Sequence, residues 1–198
     1  ARGPVALSEA VVVPSGVGCA ARGCDRRAFE AGDAGAGQVA GRALSYDDLW
    51  NEVRGKGGAY GAGFQTARTG NLRFYSYRDP HLDDTLAHFA RASEWLAKFD
   101  PAAEAMEGYV VSTVAGFDTP LKARALVRRQ DGDFFGGRTP ESRAATRAQM
   151  IDADAAALRA LAGPIAEAVA MDAVCVFGSK DLIQASDAGL AVIDLLNE

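Results

Sequence analysis

The chain of 198 residues is 48% hydrophobic and 24% charged, with a formal net charge of −5, which is enough apolar content for one domain or a tight pair. A mildly acidic balance without a basic stripe argues against a nucleic-acid partner, and no apolar run approaches the roughly 20 residues of a membrane-spanning helix. Cys19, Cys24 and Cys175 contain no C-x-x-C pair and are too few for a disulfide framework, so they predict a reducing, cytoplasmic setting.

Along the chain, residues 10–20 form the first strand candidate, and Pro14 cuts its apolar run below the length of a signal-peptide core. A start at Ala1 instead of methionine suits a piece of something longer. The glycine-rich stretch 32–37 reads as a flexible loop. Within it, Gly35-Ala-Gly37 imitates a dinucleotide fingerprint but lacks the preceding strand that would give it meaning. Val39, Ala43, Tyr46, Trp50 and Val53 recur as one helical stripe, which a Ser45/Asp48 capping box could split, and which ends at Gly57 and Gly58. Residues 59–68 and 72–78 predict two strands joined by Thr69-Gly70-Asn71.

Four prolines follow Asp or Thr: Asp79-Pro80, Asp100-Pro101, Thr119-Pro120 and Thr139-Pro140. Each pair reads as an N-cap with proline at the first helical position. The first of these helices, over 80–99, sets Leu82, Leu86, Phe89, Ser93 and Leu96 on one side; the last runs as one long helix over 140–161. Asp131-Gly-Asp133 lacks the ligand spacing of a calcium loop and predicts a solvated turn between helices. Arg143, Arg147 and Arg159 read as a charged helix surface facing water or a neighbouring domain, and Cys175 as a core residue of a strand over 173–177. A further strand is expected over 190–195. Strands at both ends enclosing helices, with no β-α alternation, internal repeat or linker, predict an α+β fold: two layers, with a largely antiparallel sheet and helices packed on one face.

The candidate site is a corner. Arg54 ends a helix and Tyr60 starts a strand, and Gly55, Gly57 and Gly58 between them tolerate positive φ and close backbone approach. The plainer alternative is an arginine capping a helix end and a tyrosine packed on a strand. His81, Asp84 and His88 share a helical face at a spacing that could gather a metal. That face lies opposite the apolar stripe and reads as solvated surface, so no metal site is expected. Ser8, Ser76 and Ser179 have no histidine near in sequence to make a nucleophilic triad.

The run LWNEVRGKGGAYG over 49–61, followed by SYRDP over 76–80, resembles the C-terminal half of the insulinase/pitrilysin superfamily of zinc metallopeptidases, nearest its presequence protease branch. Weaker similarity continues through 9–15, 23–27 and 136–143 to the C-terminus. The resemblance implies that residues 1–198 are a single C-terminal α+β domain of a longer peptidase chain. It also implies that Arg54, Tyr60, Gly57 and Gly58 bind substrate, with no catalytic residue in this stretch. Members of the superfamily take zinc from a His-x-x-Glu-His helix whose glutamate is the general base, and this chain has no such motif. The implied zinc and base therefore belong to a missing N-terminal half. That half and peptide substrates are the expected partners, with neither nucleic acid nor membrane. Two functions agree with this: a substrate-clasping domain of a peptide-degrading zinc metalloendopeptidase, inactive alone, or a catalytically inactive peptide-binding or structural homologue. A self-sufficient enzyme built on His81 and His88 is a weaker third.

Overall fold

The computed structural model describes residues 8–24, 33–67 and 71–194. Thr69, Gly70, Leu195 and the segment 25–32 lie outside them. Six strands, β1 (Glu9–Val12), β2 (Cys19–Gly23), β3 (Gly61–Thr66), β4 (Leu72–Tyr77), β5 (Ala173–Gly178) and β6 (Ala191–Ile193), make one sheet in the order β3-β4-β2-β5-β1-β6. β3-β4, β4-β2 and β2-β5 are antiparallel. β1 runs parallel to both β5 and β6. The α+β expectation with a largely antiparallel sheet holds, and the parallel pairs occupy one end. The single strand expected over 10–20 is two, because Pro14 interrupts it; β5 separates the two halves in the sheet.

Alternation along the strands gives the sheet one covered face. In β4, Leu72, Phe74 and Ser76 are buried while Arg73 and Tyr77 are exposed. The register aligns Phe74 with Phe64 and Arg22, and Val176 with Ala20 and Ala10, so these side chains share the covered side. Cys175 pairs with Ala21 and Glu9 on the opposite side and is half-buried, contrary to its expected core position, since the period of two gives the core to Val174 and Val176. The Phe74 ring lies 4.7 Å from Phe64 and 5.4 Å from Phe89 of α2 (Leu82–Ala97), joining sheet to helix. Every residue of the expected stripe Leu82, Leu86, Phe89, Ser93 and Leu96 is buried.

The proline signals place helices correctly but their starts only once. The helix α5 (Pro140–Ile151) begins as expected, with Thr139 and Ser142 in a reciprocal capping box. α2, α3 (Ala103–Phe117) and α4 (Ala123–Phe135) begin a few residues beyond their prolines. In two of these the capping side chain is used elsewhere: Asp79 Oδ1 accepts from the His81 N–H at 2.9 Å, and Thr119 Oγ1 donates back to the Ala115 carbonyl at 2.9 Å. The long helix expected over 140–161 stops at Ile151, because Asp154 accepts from the Ala157 N–H and caps a new helix, α6 (Ala155–Ala160). α7 (Ala162–Val169) and α8 (Lys180–Gln184) complete the helical set. Asp131 and Asp133 lie within α4 instead of a turn.

A loop reading is also corrected, and a surface reading gains partners. Gly35 and Gly37 sit buried in α1 (Ala34–Ala43), where a Cβ at Gly35 would lie 2.4 Å from Gln149 Cβ. Glycine there permits α1 to touch α5 and does not loosen a loop. The arginines are tied to helix ends. Arg143 donates to the Phe117 carbonyl at 2.7 Å, Arg147 pairs with Asp118 at 2.6 Å, and Arg159 donates to the Phe99 carbonyl at 2.7 Å. Cations are favoured at these negative termini. Among the described residues no helix is long and apolar enough to cross a membrane.

Candidate functional site

α1 continues without a break into a π-helix, Leu44–Lys56, in which each N–H reaches five residues back instead of four. The Gly57 N–H, at its end, still bonds the Glu52 carbonyl at 2.9 Å. This winding breaks the expected stripe. Val39, Ala43 and Val53 are buried, but Tyr46 and Trp50 are 54% and 43% exposed, and Leu44, Asp48 and Leu49 take the inward positions. Ser45 caps nothing: its Oγ accepts from the Phe64 N–H at 2.9 Å and donates to the Phe64 carbonyl at 3.3 Å. That pair satisfies the outward groups of β3 at its midpoint, where the sheet edge would otherwise be open.

The helix ends on the glycines. Gly58 takes φ +76°, the left-handed geometry expected of a helix stop. Gly57 has φ −78°, and its requirement is space, since a Cβ there would stand 2.6 Å from the Val53 carbonyl oxygen. That oxygen also accepts from the Ala59 N–H at 3.2 Å, and the Tyr60 N–H then bonds the Tyr77 carbonyl at 3.0 Å, which launches the β3-β4 hairpin.

Arg54 and Tyr60 meet across this corner. Arg54 Nε donates to the Tyr60 carbonyl at 3.1 Å, and the guanidinium carbon lies 3.9 Å from the centre of the Trp50 ring. With Nε tied and the plane laid on an indole, the orientation of the guanidinium is fixed. Its Nη1 and Nη2 donate to nothing among the described residues. Tyr60 is 68% exposed and its ring edge rests against Tyr77 at 5.9 Å and 80°. Its hydroxyl likewise has no partner among the described residues. Unspent, charge-bearing and phenolic donors on a rigid support suit a carbonyl or carboxylate oxygen. Trp50 is the part of this site that sequence reasoning placed in the core, because the helical period assigned it to the buried stripe.

Next to the corner, Lys56 bonds Glu52 at 2.6 Å, and this hydrogen bond holds the Glu52 carboxyl below its usual range. On the other flank the Tyr109 phenol is pushed up, first by burial and then by its hydrogen bond to Asp47. Asp48 is 3% exposed, with Oδ1 3.0 Å from His88 Nε2 and Oδ2 without a partner among the described residues. His88 therefore faces inward from α2 and is not on a solvated surface, while His81 stands exposed at the start of that helix. Zinc does not fit these residues. No group of three His, Cys, Asp or Glu side chains among the described residues is placed to hold a metal ion. The serines are structural: Ser76 accepts from the Ala20 N–H, Ser179 caps α8, and Ser8 donates to the Asp172 carbonyl.

The profile of one family, described as PreP C-terminal domain, matches residues 8–177. Protein HypA of Clostridium perfringens is 30% identical over 141 residues, covering 71% of this chain and 14% of that protein. The mitochondrial presequence protease of Gibberella zeae is 33% identical over 116 residues, covering 58% of this chain and 11% of its own. Both relatives are thus far longer than this chain. Pitrilysin superposes with a TM-score of 0.62 at 16% identity, over 95% of this chain and 22% of its own, and so shares the fold. With most of its length matched by that profile, the chain belongs to the PreP C-terminal domain family.

Proposed function

We propose that this chain is the single C-terminal, substrate-clasping domain of a peptide-degrading zinc metalloendopeptidase, and that Arg54 and Tyr60 donate hydrogen bonds to one carbonyl oxygen of the bound peptide. Zinc and the general base belong to the N-terminal part of the parent, which is the partner of this domain along with the peptide. Neither nucleic acid nor membrane is a partner, and the compartment read from three cysteines, too few and wrongly spaced for a disulfide framework, is the cytoplasm. The supporting observation is the orientation of Arg54: Nε held by the Tyr60 carbonyl, Trp50 beneath, and two nitrogens left to donate. A donor fixed before substrate arrives gains most as negative charge gathers on the carbonyl oxygen, so its contribution appears in the rate more than in binding. Gly57 and Gly58 serve by setting the distance from helix end to strand start.

The test is steady-state kinetics of the full parent chain on an unstructured peptide, with Arg54→Ala and Tyr60→Phe. Losing one such donor lowers kcat/KM by about 10² to 10³-fold, mostly in kcat. An Arg54→Ala parent of normal fold that cleaves at the unmutated rate removes the proposal. A wild-type parent that binds peptide but neither holds zinc nor cleaves supports the inactive-homologue reading instead.

A further inference from the structure

Two non-glycine residues among those described hold a left-handed backbone, Asp172 at φ +54° and Arg78 at φ +50°. For Asp172 this is an ordinary choice, since a short polar side chain tolerates that region; for a side chain as long as arginine it is an outlier, and glycine would take it without strain. The backbone is pinned on both sides of Arg78. Its carbonyl accepts from the Tyr60 N–H at 3.3 Å. Asp79, which follows, is fully buried, exchanges N–H and carbonyl hydrogen bonds with Gly18 at 2.7 and 2.9 Å, and accepts from the His81 N–H with Oδ1. Gly18 in turn has no room for a side chain, because a Cβ there would lie 2.8 Å from Leu82. Strain of this kind persists where the surroundings over-determine it, and it gathers at places that bind or switch.

The strained turn re-aims the side chain. Successive side chains of a strand point to opposite faces, so a regular continuation of β4 would put Arg78 across the sheet from Tyr77. Instead the Arg78 guanidinium carbon lies 5.7 Å from the centre of the Tyr77 ring, and Tyr77 is the ring on which the edge of Tyr60 rests, 5.9 Å away. Tyr60, Tyr77 and Arg78 thus stand in a row. Arg78 is exposed, and no carboxylate pairs with it among the described residues. Its neighbour Asp79 is turned inward, with Oδ1 on the His81 N–H and Oδ2 shut from solvent. A full positive charge with its forked donors unspent is more than one neutral carbonyl uses, and it matches a carboxylate, which accepts two parallel N–H bonds.

We propose that Arg78 is a further substrate contact, binding a carboxylate of the peptide a few residues from the carbonyl held by Arg54 and Tyr60. The proposal rests on the Arg54–Tyr60 reading for where the peptide lies. The two spacings through Tyr77 place the guanidinium no more than about four residues of extended peptide from the Tyr60 ring, at about 3.3 Å per residue. The carboxylate is the peptide's own C-terminus or an Asp or Glu side chain, which offer the same two oxygens. It carries its charge before and during the reaction alike, so this contact favours binding and leaves the chemical step unchanged, unlike that of Arg54.

The experiment uses the full parent and two sets of peptides. One set ends at successive distances beyond the scissile bond with a free or an amidated C-terminus; the other, longer and amidated throughout, is scanned with Asp or its neutral isostere Asn. At one position the carboxylate is preferred over its neutral counterpart by about 10 to 100-fold in kcat/KM, carried by KM. A preference confined to the first set assigns the C-terminus as the ligand, and one confined to the second assigns an acidic side chain; either supports the proposal. Arg78→Gln brings the ratio towards one. Arg78→Gly does the same while taking the left-handed backbone without strain, which separates a lost contact from a lost fold. Arg54→Ala lowers kcat on both members of a pair and leaves the ratio standing, so failure of the carboxylate contact and failure of the carbonyl contact are told apart. If the parent cleaves nothing, the same ratios are read from dissociation constants by fluorescence anisotropy of labelled peptides. No carboxylate preference at any position, or one that survives Arg78→Gly in a folded protein, overturns the proposal.

Discussion

α2 and the π-helix lie side by side and both carry apolar residues three and four apart, yet only α2 buries them as that spacing implies. In α2 every member of the stripe is inside. In the π-helix, Tyr46 and Trp50, four apart, face out, while Asp48 and Leu49 turn in. Apolar spacing reports a face only for an assumed winding, and the hydrogen-bond partner five residues back changes the winding. The wider helix gains something α2 lacks: an exposed indole under an arginine at the helix end.

The strongest way to break this contrast is to truncate an inward residue of α2. Phe89→Ala removes a ring wedged on Phe74, and the loss should be about 3 to 5 kcal/mol in urea-induced unfolding; a cost under about 1 kcal/mol would mean that α2 does not carry the core. At the end of the π-helix, Gly57→Ala forces a methyl against the Val53 carbonyl and should cost about 1 to 3 kcal/mol, and Gly58→Ala about 1 to 2 kcal/mol for its left-handed backbone. If both are neutral in thermal unfolding, the corner is less rigid than its geometry implies. Trp50→Ala, although it deletes the largest side chain of the π-helix, should cost below about 1 kcal/mol, whereas a regular α-helix with Trp50 inward predicts a loss like that of Phe89. The smallest effect is at Lys56. Lys56→Met should cost about 0.2 to 0.5 kcal/mol near neutral pH. Because Lys56 lowers the folded-state Glu52 value, that contribution is present above the ordinary glutamate value of about 4.3 and is lost as pH falls through the lower folded value. Denaturation of both proteins from pH 7 into acid should show the two stabilities converging.

Much of the fold was legible where local chemistry and tertiary context agree. Thr139-Pro140 starts a helix, Leu82 to Leu96 face one way, and residues 72–77 alternate as a half-covered strand. The contact between Arg54 and Tyr60 also follows from local geometry, because only a few residues and two required glycines separate them. Misreadings arose where a side chain had two possible uses. Asp79 and Thr119 could cap the helices ahead of them but bond nearer groups instead. Gly35 could loosen a loop or admit a neighbouring helix, and it admits α5. Arg143 and Arg159 could meet water or a carbonyl at the end of another helix, and that end is distant in sequence. The platform under Arg54 was hidden for the same kind of reason, since nothing local in 44–56 announces a π winding; packing against β3 and α2 selects it.

β1 sits between β5 and β6, and both neighbours come from the far end of the chain. During synthesis β1 precedes the other five strands and waits, both edges unpaired, until β5 and β6 follow. Such non-local pairing raises contact order and slows closure of the sheet, and a strand with two open edges invites pairing with a second nascent chain. Release before Ala173 would deny β1 both of its partners at once, so chaperone dependence should concentrate on this strand and not on the helical hairpins, whose contacts are largely complete by then.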